Sequence, residues 1–259
     1  MAADLQGRRA FVTGGSKGIG AAIVRRLRAH GAEVVLSAQD MPLAEALAAE
    51  IGARAVRLDV TDLDAASKAV RDNGPFDILV NNAGQDQHAF FTDTTPQQWR
   101  QLLAVNLEAV FATVHAALPG MQAARWGRIV NVGSEAGRQG SKGGSVYAAA
   151  KGGVVAFTKS IARENGRYGI TANVIAPGPV DTAQGGGGRR RQAAGGDEGR
   201  HPAGPPRHAG RGCRRGGLPR LGRSRLHHRR DARRVRGHGM LSLPMLSPPQ
   251  AVESVIERI

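Results

Sequence analysis

Short apolar segments alternate with segments of helical periodicity through the first 184 residues of this chain. The predicted strands are 9–13, 33–37, 55–58, 76–80, 128–132 and 171–175, and the predicted helices between them are 19–30, 42–51, 62–71, 96–118 and 146–163. Strands separated by helices of this length pair in parallel, because the chain must cross over between them. Their nearly continuous apolar character is typical of a sheet that is covered on both faces. The pattern predicts an α/β fold with a doubly wound parallel sheet in three αβα layers.

The composition changes abruptly after residue 184. Residues 1–184 contain 19 lysines and arginines and 16 acidic residues, whereas residues 185–259 contain 17 arginines, no lysine and 5 acidic residues. Most of the formal net charge of +15 therefore belongs to the last 75 residues, which contain no Phe, Trp or Tyr. We divide the chain into a folded domain, residues 1–184, and an atypical tail, residues 185–259.

The tail has the composition of a segment that is hard to order. Gly and Pro make up 22 of its 75 residues, and its apolar residues follow no period of two or 3.6. Ordering such a backbone is costly, and little apolar surface is available to offset the cost. We expect residues 185–250 to be irregular or disordered, while residues 251–259 show a short amphipathic pattern.

Several locations and functions are disfavoured by the sequence. No run of roughly 18 apolar residues occurs, so we expect no membrane span. The first residues lack the basic segment and long apolar run of a signal peptide. Cys213 is the only cysteine, which excludes an intramolecular disulfide and fits a protein of the reducing cytoplasm. We predict no metal site.

A glycine-rich loop follows the first predicted strand and leads into the first predicted helix. It reads Thr13-Gly14-Gly15-Ser16-Lys17-Gly18-Ile19-Gly20. Glycines let the backbone approach a pyrophosphate closely, and a helix N-terminus offers free N–H groups and a favourable dipole. An ordinary glycine-rich turn is the alternative. On the first interpretation the residues that bind a dinucleotide are Gly14, Ser16, Lys17, Gly18, Ile19 and Gly20.

Polar residues also follow the third and fourth predicted strands. Asp59 and Val60 end the third strand, where a carboxylate can reach an adenine amino group, and Asn82, Ala83 and Gly84 end the fourth. Ligands of open α/β sheets bind at the carboxyl ends of the strands. We therefore add these five residues to the predicted cofactor site, although each group alone could be an ordinary strand end or turn.

Tyr147 and Lys151 lie four residues apart on a predicted helix, and therefore on one face of it. A nearby ammonium stabilises a phenolate and lowers the pKa of the tyrosine, so the pair could act as acid or base on an alcohol or a carbonyl. Ser134, at the end of the fifth strand, could hydrogen-bond the substrate oxygen. Asn106 is polar in an apolar helix, and is either a satisfied buried amide or a contact that supports a proton relay.

These motifs, in this order and spacing, resemble the short-chain dehydrogenase/reductase family from about Gly7 to Ala183. The resemblance implies a Rossmann-type fold and hydride transfer between a nicotinamide cofactor and a carbonyl or hydroxyl carbon. It assigns catalysis to Asn106, Ser134, Tyr147 and Lys151, with Tyr147 as acid or base and Lys151 as its activator and a ribose ligand. It also adds four cofactor contacts, Pro177, Gly178, Val180 and Thr182, of which Thr182 would contact the nicotinamide amide.

Cofactor choice depends on the end of the second strand. An acidic residue there would bind the ribose 2′-hydroxyl and repel a 2′-phosphate. The position that resembles the acidic one of the family is occupied by Ala38, and Gln39 follows it. Asp40 is acidic but lies one or two residues after that position. Lys17 could pair with a 2′-phosphate, or could be a solvated loop charge. We favour NADP(H) over NAD(H).

The substrate is predicted to be a small carbonyl or alcohol compound. Residues 85–88 and 135–144 form the two loops that should contact it, although for His88 a surface position is favoured over a substrate contact. The central region resembles bacterial enzymes that act on 3-oxoacyl thioesters or cyclic hydroxyacyl-CoA compounds, and reduction of a ketone or a sugar is an alternative.

The tail departs from the family, which normally continues with substrate-covering helices and a final strand. Its composition is that of a GC-rich gene read out of frame, so we hypothesise a frameshift near residues 183–188. The alternatives are an inactive relic that retains cofactor binding, and a basic tail that binds nucleic acid, which the missing aromatic residues disfavour. The family predicts a homodimer or homotetramer, which this C-terminus puts in question.

Overall fold

A computed structural model of the protein describes residues 4–177 and 248–259. These residues belong to one compact unit, which comprises Met1–Gln184 and Arg236–Ile259. The second unit, Gly185–Val235, lies outside the described residues. The expectation that residues 185–250 are disordered therefore concerns a segment that is almost wholly outside them.

The described residues form a six-stranded parallel sheet with helices on both faces, which confirms the predicted Rossmann-type α/β fold. The strands are β1 Arg9–Thr13, β2 Glu33–Ala38, β3 Arg54–Arg57, β4 Ile78–Asn81, β5 Gly127–Val132 and β6 Ile170–Ile175. The helices are α1 Gly18–Ala29, α2 Met41–Ile51, α3 Leu63–Asn73, α4 Pro96–Leu103, α5 Ala109–Ala124, α6 Ala136–Gln139, α7 Ser145–Asn165 and α8 Pro248–Arg258.

The strand order is β3-β2-β1-β4-β5-β6, so the direction of winding reverses between β1 and β4. In the registers of these strands Thr13 of β1 lies beside Asn81 of β4 and Ser37 of β2. The carboxyl ends of β1 and β4 therefore border the crevice in which open α/β sheets bind ligands. The glycine-rich loop follows β1 at this edge, and Asn82 follows β4.

Two apolar layers cover the sheet, because successive side chains of a strand point to opposite faces. On β1 both Ala10 and Val12 pack with α1 and α2, while Phe11 packs with α3, α5 and α7 on the other face. All three side chains are completely buried. A strand that is buried on both faces needs apolar residues at every position, which is why β1 lacks the alternation of an exposed sheet.

Helix α8 is the part of the predicted tail that the structure describes. Its buried side chains Val252, Val255 and Ile256 join the core on the α1 side of the sheet. Glu253 pairs with Arg26 of α1 through a hydrogen bond of 2.5 Å, and Arg128 Nε donates to the Ile259 carbonyl. The short amphipathic pattern of residues 251–259 thus corresponds to a helix that completes one helical layer.

The segment Pro96–Ala124 is 29 residues long and, by length and composition alone, apolar enough to cross a membrane; it is the one such helix in the described part of the chain. It comprises α4, a π-helical turn Ala104–Glu108 and α5. Its Asn106 and Thr113 are fully buried and hydrogen-bonded within the protein, and Val114 and Met121 pack against the sheet. A core helix of an αβα layer has the same length and composition.

Candidate active site

The glycine-rich loop is held between β1 and the end of β4. Asn82 Nδ2 donates to the carbonyls of Thr13 (3.1 Å) and Gly14 (2.9 Å), and the Thr13 hydroxyl accepts from the amides of Asn82 and Ala83. The predicted residues Gly14, Asn82 and Ala83 are therefore brought together. Asn82 acts here through the loop, whose conformation it fixes.

Three glycines of this loop, Gly14, Gly15 and Gly20, have no room for a side chain. Gly14 has a φ of +62°, and a β-carbon there would lie 3.0 Å from the Ala83 Cα. A β-carbon at Gly20 would collide with the Gly14 carbonyl oxygen and lie 2.5 Å from Asn82 Nδ2. The backbone thus forms an open cradle at the N-terminus of α1, where helix N–H groups have no intrahelical acceptor. Such a cradle fits the pyrophosphate of a dinucleotide.

The other residues of the loop differ in exposure. Ser16 is buried, Ile19 is half-buried, and Lys17 and Gly18 are exposed at the start of α1. Lys17 is the N-cap residue of α1, but its side chain does not cap the helix. Lys17 is thus an exposed cation at the N-terminus of α1, where the helix dipole also favours an anionic ligand.

We expect Gly20→Ala to weaken dinucleotide binding at least about tenfold and to lower the free energy of unfolding by about 1–3 kcal/mol, the usual cost of overpacking. The added methyl group must displace the Gly14 carbonyl and Asn82, which shape the cradle. Fluorescence titration with NADPH and urea unfolding measure the two effects. Gly166→Ala is the matched control, because a β-carbon at Gly166 meets nothing within 4 Å. Binding by Gly20→Ala as tight as by that control would contradict the assignment of the cradle.

Asp59 and Val60 lie just beyond β3, which ends at Arg57. The exposed Asp59 carboxylate accepts from the Thr61 amide and hydroxyl, at 2.9 and 2.7 Å, and from Gln39. These hydrogen bonds hold the pKa of Asp59 below its ordinary value. The side chain is thus a fixed anion at the edge of the sheet, while Val60 is buried.

Asn106 and Lys151 meet at Gly84. A β-carbon at Gly84 would lie 2.9 Å from Asn106 Oδ1 and 3.4 Å from Lys151 Nζ. Asn106 sits in the π-helical turn, an irregularity that is frequent at functional sites. Its side chain accepts from the Gln85 amide and donates to the carbonyls of Gln85 and Leu102. The side-chain amide of Asn106 therefore has hydrogen-bond partners within the protein, and it holds the backbone directly after Gly84.

Ser134, Tyr147 and Lys151 come together from β5 and α7. Ser134 follows the end of β5 and hydrogen-bonds the Tyr147 side chain. Lys151 lies one turn after Tyr147 on α7, with Nζ 5.8 Å from the centre of the tyrosine ring. The ammonium is only 5% exposed and donates to the Val132 carbonyl at 2.8 Å. The four predicted catalytic residues thus form one cluster with Gly84.

The expected lowering of the Tyr147 pKa is wrong for this structure. Burial of the phenol raises its pKa above 10.0, and the charge of Asp86 adds to the effect, while the Ser134 hydrogen bond opposes it. The Lys151 ammonium is directed toward the Val132 carbonyl, and burial lowers its own pKa from 10.5 to about 8. At neutral pH the cluster therefore holds a protonated phenol beside a buried ammonium, which is the state of a proton donor.

A polar cavity of about 470 Å³ adjoins this cluster. Its lining residues come from the loop after β4 and from α4: Gln85, Asp86, Gln87, His88, Ala89, Thr94, Gln97, Gln98, Gln101 and Leu102. The first predicted substrate loop thus lines a cavity. His88 is exposed, with Nε2 3.8 Å from the Asp86 carboxylate. Within residues 4–177 and 248–259, no three His, Cys, Asp or Glu side chains are grouped to hold a metal ion.

Four predicted cofactor contacts belong to the segment after β6. Pro177 is buried just beyond that strand. Gly178, Val180 and Thr182 lie outside the described residues, so the nicotinamide contact assigned to Thr182 stays a prediction.

Comparison with known proteins decides the family. The short chain dehydrogenase family model matches residues 8–192. The chain belongs to the short-chain dehydrogenase/reductase family. It is 42% identical over 180 residues to an acetoacetyl-CoA reductase of Shinella zoogloeoides, a match that covers 68% of this chain and 75% of that protein. It is 41% identical over 185 residues to a 3-oxoacyl-[acyl-carrier-protein] reductase of Vibrio cholerae, covering 69% and 76%.

A solved structure of the family has the same architecture. It is described as a short chain dehydrogenase/reductase family protein, is 38% identical, and superposes with a TM-score of 0.69 over 70% of this chain and 78% of its own. Family membership makes this chain an oxidoreductase of the nicotinamide-dependent type.

Proposed function

We propose that the protein is an NADP(H)-dependent reductase of 3-oxoacyl thioesters or of related cyclic acyl-CoA compounds. The observation that carries the proposal is the cluster of Ser134, Tyr147 and Lys151 beside the glycine cradle, which combines a proton donor with a dinucleotide site. The names of the acetoacetyl-CoA and 3-oxoacyl reductases that it resembles support the substrate class.

The residues of the chain have distinct proposed roles in this reaction. The cofactor would be held by Gly14–Gly20, by the strand ends at Asp59 and Asn82–Gly84, by Lys151 and by the segment after Pro177. When bound, it supplies the hydride. The Ser134 hydroxyl orients the substrate oxygen, and Tyr147 gives its proton to that oxygen as the carbonyl becomes an alcohol. Lys151 stabilises the tyrosinate that remains.

Turnover with a panel of thioesters tests the proposal. NADPH and acetoacetyl-CoA should react with loss of NADPH absorbance, and an alcohol should appear by mass spectrometry. A cyclic hydroxyacyl-CoA with NADP should give the reverse reaction. NADPH binding without turnover of any of these thioesters would contradict the proposal, and so would turnover of a ketone or a sugar alone.

The preference for NADP(H) rests on charges around the end of β2. Ala38 is apolar, Gln39 is bonded to Asp59, and the Asp40 carboxylate accepts from the Leu43 amide as the N-cap of α2. The carboxylates next to this strand end thus have partners in the protein, whereas Lys17 presents an exposed ammonium at the cradle. A positive charge favours the 2′-phosphate that distinguishes NADP from NAD.

Lys17→Ala should weaken NADPH binding about five- to tenfold and leave NADH binding within about twofold, because one partly exposed charge pair contributes about 1 kcal/mol. The dissociation constants of both cofactors are measured by fluorescence titration. Lys159→Ala, which removes an exposed charge on α7, is the control. Equal losses for the two cofactors would contradict a contact with the 2′-phosphate.

The frameshift hypothesis remains a proposal about residues 183–247, which lie outside the described residues. The frameshift could come from a natural mutation or from a sequencing error. If it is a sequencing error, the resequenced gene read in frame should encode a family-like end, and an intact mass equal to that of the 259-residue chain would contradict this origin. The relic and the nucleic-acid-binding tail gain no support from the comparisons. A cytoplasmic location and a family-type homo-oligomer are proposed from the single cysteine and the family.

A further inference from the structure

Helix α7 carries Tyr147 in its first turn but has no capping side chain of its own. Its N-cap residue is Gly144, which has no side chain to accept from the amides of the first turn. Those amides lack intrahelical acceptors, and a helix start without partners loses stability. Tyr147 is the third residue of α7, so fraying of this turn would displace the phenol directly.

The missing cap is supplied by Gln87, a residue 60 positions before Tyr147. Gln87 Oε1 accepts from the Val146 amide at 2.9 Å and from the Tyr147 amide at 3.2 Å. Gln87 Nε2 donates to the Ala89 carbonyl at 3.0 Å. The side chain is 8% exposed. The side-chain amide of Gln87 is therefore held through both its oxygen and its nitrogen, and it lies at the start of α7.

The loop that carries Gln87 is attached to the site at two further points. The backbone amide and carbonyl of Gln85 both hydrogen-bond the Asn106 side chain. The backbone amide of Ala89 donates to the Gly143 carbonyl at 3.1 Å. Residues 85–89 therefore connect Asn106 to the beginning of α7. Asp86 and His88, on either side of Gln87, are exposed. Gln87 is thus the residue of this loop that is turned inward onto the catalytic helix.

We propose that Gln87 is a positioning residue, which caps α7 from the substrate loop and thereby holds the Tyr147 phenol against Ser134. The proposal rests on the proposed function, since it takes Tyr147 as the proton donor. A displacement of about 1 Å at a catalytic group can reduce turnover about 100-fold, while substrate binding in the cavity is less sensitive.

Three variants test the proposal. Gln87→Met removes the two hydrogen bonds that Oε1 accepts from the Val146 and Tyr147 amides, and it nearly keeps the side-chain volume. Gln87→Glu keeps an oxygen acceptor and adds a negative charge, which a helix N-terminus favours. Gln6→Met is the matched control, because Gln6 is an exposed glutamine before β1 and lies outside the site. The readouts are amide hydrogen exchange at residues 146 and 147, kcat and KM with acetoacetyl-CoA, and circular dichroism.

We expect Gln87→Met to lower kcat about 10- to 100-fold with KM within about threefold, and to speed exchange at both amides about tenfold. Gln87→Glu should recover most of the kcat and of the exchange protection. Unchanged exchange in Gln87→Met, or a Gln87→Glu variant no better than it, overturns the proposal.

Exchange is measured without substrate, so the cap is tested separately from the reaction. Loss of protection in Gln87→Met but not in Gln6→Met supports the cap even if no thioester is reduced by the unsubstituted protein. In that case the proposed function fails and the cap stands. Far-UV dichroism of Gln87→Met equal to that of the control shows that the fold is kept, so that the loss of protection reports the first turn of α7.

Discussion

Tyr147→Phe should lower kcat about 1,000-fold while the protein stays folded and binds NADPH as before. The ring fills the same space, and only the hydroxyl that bonds Ser134 and carries the proton is lost. General acid catalysis contributes about 10²- to 10⁴-fold, so removal of the donor should cost most of the rate. The free energy of unfolding should change by about 1 kcal/mol or less, the value of one hydrogen bond.

The chain offers a matched control for this substitution, because it has only two tyrosines. Tyr168 follows α7 in a short 3-10 turn, and its hydroxyl accepts from Arg167. Tyr168→Phe should keep kcat within about twofold. Single-turnover rates, NADPH titration and thermal unfolding are measured for both variants. A Tyr147→Phe variant that retains a tenth of the turnover would show that the proton comes from another group.

Lys151→Met should abolish turnover and stabilise the protein at pH 7 by about 1–2 kcal/mol. Burial shifts the Lys151 pKa from 10.5 to about 8, and a shift of this size corresponds to a penalty of about 3 kcal/mol for the buried charge. The methionine avoids the penalty but leaves the Val132 carbonyl without its donor, which costs about 1–2 kcal/mol. Function and stability therefore change in opposite directions at this position.

The pH dependence of stability gives a second measurement. Between pH 8 and pH 10.5 the unfolded chain keeps a proton on Lys151 that the folded chain has released, so the free energy of unfolding should rise with pH in this window. Tyr147 and Asp86 face this group, and because the pKa of the phenol is raised above its ordinary value, the phenol stays protonated up to pH 9.5, where unfolding is measured. Urea unfolding at pH 7 and pH 9.5 should show the rise in the unsubstituted protein and its loss in Lys151→Met.

Lys159→Met, eight residues further along α7, replaces an exposed lysine and is the control for both measurements. It should leave turnover, stability at pH 7 and the pH dependence unchanged. A Lys151→Met variant that is less stable than the unsubstituted protein at pH 7 and keeps the same pH dependence would contradict the cost assigned to the buried ammonium.

The sequence by itself determined the layers, the strand positions and the candidate places for a dinucleotide and a proton donor. These features depend on local pattern: apolar runs for strands buried on both faces, glycines where a side chain collides, and four-residue spacing on α7. Strand ends moved by one or two residues, because apolar character does not mark the last ladder hydrogen bond.

Only the tertiary structure decided how these residues act on one another. The Tyr147 pKa rises because burial of the phenol outweighs its hydrogen bond with Ser134. The four-residue spacing of Tyr147 and Lys151 on a helix contains no information about burial. Gln87 caps α7 across 60 residues, and α8 packs on α1 from the far end of the chain. Contacts between residues so distant in sequence depend on how the sheet brings its carboxyl ends and its helical layers together, which no local pattern records.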